Sequence, residues 1–388
     1  MNRSSLFLVV AVVAGTACAD ATSPSGSRVA PLVGPTGMAA RVVKDEYLVV
    51  LNEDADVDAN VSKARGKGAD VVAEWKHALK GYGVRGRPEL IMELRTDPDV
   101  QYVEESQEYS VDVTQSPATW GLDRIDQRDR PLSNSFTYTR TASNVRAYII
   151  DTGILTTHNE FGGRATWGVN YAGGPNSDCH GHGTHVAGTV GGTTYGVAKQ
   201  VRLIAVKVLS CSGSGSTVGV VSGINWVRQN GIKPAVANMS LGGGISTSID
   251  NAVTNAVNSG IVFAVAAGNS NANACNYSPA RAAAAITVGA TTSTDARASY
   301  SNYGSCVDIH APGSSITSAW RTSNTATNTI SGTSMATPHV AGVAALYLSF
   351  NTGASAASVA SALIANSSTG KITGLPAGTQ NRLLFTNY

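Results

Sequence analysis

From about Val113 to the end of the chain, short apolar runs alternate with longer stretches of helical period. The pattern predicts strands at 145–150, 203–209, 234–239, 261–267 and 286–290. It predicts helices at 182–191, 217–229, 247–258, 334–348 and 356–365. Strands that are apolar throughout and separated by helices imply a mainly parallel sheet covered on both faces. The segment Val340 to Leu348 is apolar nearly all round, which marks a helix buried in a large core. Pro338 is expected only in a first helical turn, so Ser334 is predicted where an open loop meets a helix N-terminus.

The upstream pattern differs. Residues 43–112 form a charged segment with a small apolar core of their own. A strand is predicted at Glu46–Leu51, a broadly helical stretch at Val57–Leu79, a strand at Glu89–Leu94 and a third strand from Val100. That is a βαβ-type arrangement in a small α+β module. Residues 20–42, rich in Ser, Pro, Gly and Ala, read as a linker. Gln107–Pro117 reads as an extended junction, which leaves 113–388 as the large domain. The N-terminus has the form of an export signal over residues 1–19: Arg3, apolar Leu6–Ala14, then Ala17-Cys18-Ala19. Cys18 also fits acylation after cleavage, but Gly15 is a poor residue three positions before such a cysteine. Simple secretion is therefore weighted above a lipid anchor.

Composition narrows the field. The 388 residues are 43% hydrophobic and 14% charged, with 41 Gly, as suits close helix–sheet packing. A net charge of +2 without a basic run gives nothing for nucleic acid to bind. No stretch is long and apolar enough to span a bilayer, so no stable membrane partner is expected. Of five cysteines, Cys179, Cys211, Cys275 and Cys306 lie outside the signal. In an exported chain they predict two disulfides, with three pairings open.

Ligands of such sheets gather at the carboxyl ends of the strands, where Asp151, Ser240 and Asn269 fall. Asp151 can orient a histidine, or simply cap a turn. His182, at a predicted helix start, can serve as general base. Ser334 can attack a carbonyl, with the Asn269 amide and backbone N–H groups holding the oxyanion; alternatively Thr333 or Ser334 is only an N-cap. The glycine-rich segments Ser240-Leu241-Gly242-Gly243 and Ser212-Gly213-Ser214-Gly215 leave room for an extended peptide to add as a strand, unless they are only tight turns. Main-chain pairing of that kind predicts broad specificity. Ala266, Ala267, Gly268 and the stretch around Ala280 predict a roomy apolar pocket, hence cleavage after apolar or aromatic residues. A zinc site from Cys179, His180, His182 and His185 lacks the H-E-x-x-H spacing. An ester hydrolase of the nucleophile-elbow type needs G-x-S-x-G, whereas the run here is Gly332-Thr333-Ser334-Met335-Ala336.

Asp151-Thr-Gly153, His182-Gly-Thr-His-Val-Ala-Gly188, Ala266-Ala-Gly-Asn269 and Gly332-Thr-Ser-Met-Ala-Thr-Pro-His339 together resemble the subtilisin-like serine proteases, and share their Asp, His, Ser order. Trp120-Gly-Leu-Asp-Arg-Ile-Asp-Gln127 and Ser301-Asn-Tyr-Gly-Ser-Cys306 are similar to the proteinase K branch, its aqualysin type in particular. The resemblance covers residues 113–388. It implies a three-layer α/β fold and a secreted serine endopeptidase acting on polypeptides. It also implies an Asp151–His182–Ser334 triad and an oxyanion hole made by Asn269 and the Ser334 N–H. It selects the pairs Cys179–Cys211 and Cys275–Cys306, and a structural calcium held by Ala283, Ala285 and Asp308. Residues 43–112 correspond to an inhibitory, chaperoning propeptide that the enzyme removes from itself near Asp112–Thr114, leaving a monomer. His180 departs from the family pattern, which usually has Asn there. An inactive, protease-like binding protein is the alternative, but such proteins usually lack a triad member or the oxyanion Asn, and all four residues are present here.

Overall fold

The computed structural model describes residues 28–34, 42–107 and 113–388. The signal over 1–19, most of the linker and Asp112 at the expected processing site lie outside them. Contacts divide the chain into two units, Met1–Tyr109 and Ser110–Tyr388.

In the first unit the strands lie in the order Leu32–Val33, Val100–Gln107, Val42–Leu51, Gly81–Arg85, Asp70–Trp75. The pairings are antiparallel except at the Leu32–Val33 edge, which extends the sheet into the stretch expected to be linker. Two expectations fail here. The helix expected to reach Leu79 stops at Gly66; the chain turns at Gly68 (φ +85°) and continues as the strand Asp70–Trp75. Gly66 and Gly68 break the helical run, and Val71, Val72 and Trp75 fit a pleated, half-buried surface. Glu89–Leu94, expected as a strand, is part of the helix Pro88–Leu94. Pro88 opens it, and Ile91 and Leu94 are buried one turn apart. The result is a βαββαβ unit around Val49, Val61, Val84, Ile91 and Val103.

The second unit is built on a nine-stranded sheet. Its order is Ser368–Thr369, Arg382–Leu383, Ile309–Pro312, Ile286–Thr291, Val262–Ala266, Ala235–Met239, Arg146–Asp151, Arg202–Lys207, Ala165–Asn170. Every neighbouring pair is parallel except the terminal one, Ser368–Thr369 with Arg382–Leu383. The first of the central strands, Arg146–Asp151, sits between Arg202–Lys207 and Ala235–Met239. The chain goes from it to the edge strand Ala165–Asn170, returns through Arg202–Lys207 and then crosses to Ala235–Met239 on the other side, so Asp151 ends the strand at the topological switch point, where such sheets bind ligands. The helices His182–Gly191 and Thr333–Phe350 pack on each other, and the second runs across five strands of the sheet. Helices Thr217–Asn230 and Thr247–Asn258 form another packed pair. This is the expected α/β architecture. The helix Trp120–Ile125, the edge strand Ala165–Asn170 and the hairpin Ile316–Ala319/Thr327–Ile330 were not anticipated.

Candidate active site

Asp151 is completely buried, and its Oδ1 accepts from the Thr152 N–H and lies 2.7 Å from His182 Nδ1. The local cap and the partner for histidine are thus the same oxygen. Burial works to lower the His182 pKa, but the Asp151 charge, its hydrogen bond and the charge of Asp178 outweigh it, and the pKa ends above its ordinary value. Backbone contact sets the separation of the strand end from the helix: a Cβ at Gly183 would overlap the Gly153 carbonyl oxygen. Asp178, not singled out from the sequence, ties these pieces together. It is buried, and it accepts from the Thr152 hydroxyl, from the N–H groups of His180, Gly181 and Thr184, and from the Thr184 hydroxyl. The Thr152 hydroxyl in turn accepts from the Gly183 N–H at 2.9 Å.

Ser334 is the second residue of the helix Thr333–Phe350, whose N-cap is Gly332 with no side-chain cap bond. Ser334 is therefore inside the helix rather than capping it. Its N–H has no hydrogen-bond partner among the described residues, as befits a first-turn amide. Pro338 falls in the second turn, one turn later than expected. Beside Ser334, Asn269 Oδ1 accepts from both the Thr333 N–H (2.8 Å) and the Thr333 hydroxyl (2.9 Å). That leaves the Asn269 Nδ2 without a protein partner among the described residues, at the rim of the pocket that Ser334 also lines. The Ser334 hydroxyl donates to the Ser240 carbonyl at 3.2 Å, and His182 Nε2 makes no hydrogen bond to a described residue. Catalytic hydrogen bonds are often long or unmade in an empty site.

Two connected hollows meet at Leu241–Gly244. The larger, about 490 Å³, is bordered by His182 and His180 on one side, Ser212 to Thr217 on another and Ser240 to Gly244 on the third. The smaller, about 240 Å³, is lined by Ala266 to Ser270, Tyr277, Ala280, Thr333 and Ser334. The structure thus gathers the expected cleft residues Gly213, Ser214, Gly215, Ser240, Leu241, Gly242, Ala266 and Gly268 around these hollows. Among the lining residues no Lys, Arg, Asp or Glu occurs. Tyr277 is an addition that the sequence did not single out. His180 lies against the cleft wall: its ring centroid is 6.3 Å from that of His182, and a Cβ at Gly213 would come within 2.9 Å of its Nε2.

Cys179–Cys211 and Cys275–Cys306 are joined, with Cα separations of 4.9 and 5.3 Å. The thiol–imidazole cluster considered for zinc is not assembled. Cys179 is in a disulfide, and His185 Nε2 meets the carbonyls of Ile316 and Asn328 on the hairpin. Among the described residues no group of three or more His, Cys, Asp or Glu is placed to hold a metal.

A buried aspartate–histidine pair at the carboxyl edge of a parallel α/β sheet, with a helix-borne serine lining the adjoining hollow, fits the serine-peptidase class. Residues 143–383 match the Peptidase S8 model, the subtilase family, and the chain belongs to that family as a serine-type endopeptidase. It is 50% identical to an extracellular serine proteinase of Thermus sp. (strain Rt41A), with all of both chains covered. It is 54% identical to alkaline serine exoprotease A of Vibrio alginolyticus, over 81% of this chain and 60% of that protein. The crystal structure of a cold-adapted subtilisin-like serine proteinase matches with a TM-score of 0.69 and 55% identity, covering 70% of this chain and all of that one. No helix among the described residues is long and apolar enough to cross a membrane.

Proposed function

We propose that Ser334 is the nucleophile of a secreted endopeptidase, with His182 as general base and Asp151 as the group that orients it. The observation that carries this is the buried Asp151 carboxylate bonded to His182 Nδ1 at 2.7 Å. That bond puts the proton on Nδ1 and leaves Nε2 as the base facing the cleft. His182 Nε2 takes the Ser334 proton as Oγ attacks the peptide carbonyl carbon. The oxyanion is held by Asn269 Nδ2 and the Ser334 N–H. As the C–N bond breaks, His182 gives the proton to the leaving amine; water then attacks the acyl-enzyme by the same route. The substrate lies as an added strand between Ser212–Gly215 and Ser240–Gly242. The uncharged pocket at Ala266, Gly268, Tyr277 and Ala280 takes a medium to large apolar or aromatic residue before the scissile bond. Ser334→Ala tests the assignment: casein hydrolysis should vanish and the precursor should stay uncut. Hydrolysis by that variant would refute it.

The precursor organisation belongs to the same proposal. Residues 1–19 direct export, and residues 43–112 fold as an inhibitor and chaperone that the enzyme cuts off near Asp112–Thr114. The product is a monomer. Mass spectrometry of the mature chain reads the cleavage sites and any lipid on Cys18.

Asp308 offers a fit for a structural calcium. Its partly buried carboxylate, pushed up in pKa by desolvation, takes only the Thr287 N–H on Oδ2 among the described residues. With the Ala283 and Ala285 carbonyls it would make a set of hard oxygen donors. A bound calcium would supply charge neutralisation and a cross-link between the two loops. Chelation should then lower the melting temperature more than it slows turnover at moderate temperature; unchanged melting in excess chelator would exclude the site.

A further inference from the structure

In a regular helix the carbonyl of residue 334 accepts the N–H of residue 338. Pro338 has none, so the helix leaves the Ser334 carbonyl without its intrahelical donor. The vacancy is filled from outside: the Ser240 hydroxyl donates to the Ser334 carbonyl at 2.8 Å. Ser240 is 2% exposed, and its oxygen accepts in turn from Asn238 Nδ2 at 2.9 Å. Asn238 is fully buried in the strand Ala235–Met239, whose neighbour in the sheet is the Asp151 strand. A rigid central strand thus reaches, through two side chains, the backbone of the residue that carries the reacting hydroxyl. The contact is reciprocal, because the Ser334 hydroxyl donates to the Ser240 carbonyl at 3.2 Å.

We infer that the Ser240 hydroxyl is a positioning group for the nucleophile, filling the acceptor that Pro338 leaves open and fixing the backbone of Ser334 against the sheet. This goes beyond a substrate-binding role for the 240–243 backbone, and it rests on Ser334 being the nucleophile. An unanchored carbonyl lets the first turn shift. A misplacement of about 1 Å at a reacting group can cost on the order of a hundredfold in rate. Pro338 and Ser240 are on this account a matched pair. Restoring an N–H at 338 gives the carbonyl an intrahelical donor and makes the hydroxyl at 240 largely redundant.

The test is a double-mutant cycle on the full chain with Ser240→Ala, Pro338→Ala and both together. Competent sites are counted with a fluorophosphonate, and kcat and KM are measured on a peptide amide. Ser240→Ala alone should lower kcat per titrated site by about tenfold, with KM within about twofold. In the Pro338→Ala background the same change should cost less than about threefold. An equal loss in both backgrounds overturns the pairing. A fall in melting temperature with kcat per site unchanged makes Ser240 merely structural and overturns the proposal as well. If Ser240→Ala yields no folded enzyme, Ser240→Cys, close in size and a weak donor, enters the same cycle. Ser334→Ala run in parallel separates the two ideas. Residual hydrolysis there removes the nucleophile assignment, whereas an additive cycle with an inert Ser334→Ala removes only the positioning role.

Discussion

Asn269 and Thr333 are locked together by two hydrogen bonds onto one oxygen, from the Thr333 N–H at 2.8 Å and its hydroxyl at 2.9 Å. The lock sets which way the Asn269 amide faces. The Thr333 hydroxyl also accepts from the Gly268 N–H at 3.2 Å, so one threonine steadies the whole turn. Removing a single oxyanion donor typically costs ~10²–10³ in turnover, and Asn269→Ala should fall in that range. Thr333→Ala keeps the donor but loosens it, and about a tenfold loss in kcat with little change in KM is expected. Steady-state kinetics on one peptide substrate, with both variants side by side, checks the ranking.

On the proposed mechanism, the raised pKa of His182 sets the acid limb of the activity profile. The base works only when neutral, so kcat/KM should climb with pH through a pKa above the ordinary histidine value of about 6.5. Asp178→Asn removes one of the charges holding that pKa up, and should move the limb to lower pH. A limb that stays in place would show that the Asp178 charge does not reach the base.

Three other histidines predict the response of stability to acid. His185, His310 and His339 are buried, and burial lowers each pKa to about 4. In the unfolded chain they bind protons near pH 6.5; in the folded chain they bind them only near 4. Below pH 6.5 the unfolded state therefore holds more protons, and stability should fall as pH drops from about 6.5 to about 4. Each is worth up to about 3 kcal/mol across that window, which suffices to unfold a marginal protein. Urea midpoints measured on an inactive variant at pH 7, 6, 5 and 4 should decline steadily; a flat series would contradict the burial of these rings.

The two disulfides should be separable in effect. Each joins residues 31 or 32 apart, and the chain-entropy estimate is about 3–4 kcal/mol apiece. Loss of Cys179–Cys211 should also raise KM, because that bond ties the loop bearing His180 to the Ser212–Gly215 wall. Loss of Cys275–Cys306 should mainly lower the melting temperature. Paired Cys→Ser variants, compared by melting and by KM, distinguish the two.

The parallel core was legible because its strands are apolar on both faces and its helices are separated by glycine and polar breaks. The candidate site was legible because its chemistry sits in compact motifs at strand ends and helix starts. What escaped depends on partners remote in sequence. Asp178 reads as a loop residue until Thr152 and Thr184 are seen to donate to it. Tyr277 joins the pocket only through the fold. Pro338 was placed a turn too early, since nothing local shows that Ser240 compensates for its missing N–H. In the first unit, glycines at 66 and 68 and a proline at 88 were outweighed by apolar periodicity, and a helix and a strand were exchanged.

Gly183, one residue past the proposed base, leaves no space between its own backbone and the Gly153 carbonyl. The approach of the strand end to the helix start therefore includes a contact of main chain on main chain, where no rotamer can adapt. Randomising codon 183 and selecting colonies for clearing zones on milk agar would return glycine almost without exception. The cleft walls could diversify toward new substrates while that hinge of the design stayed frozen.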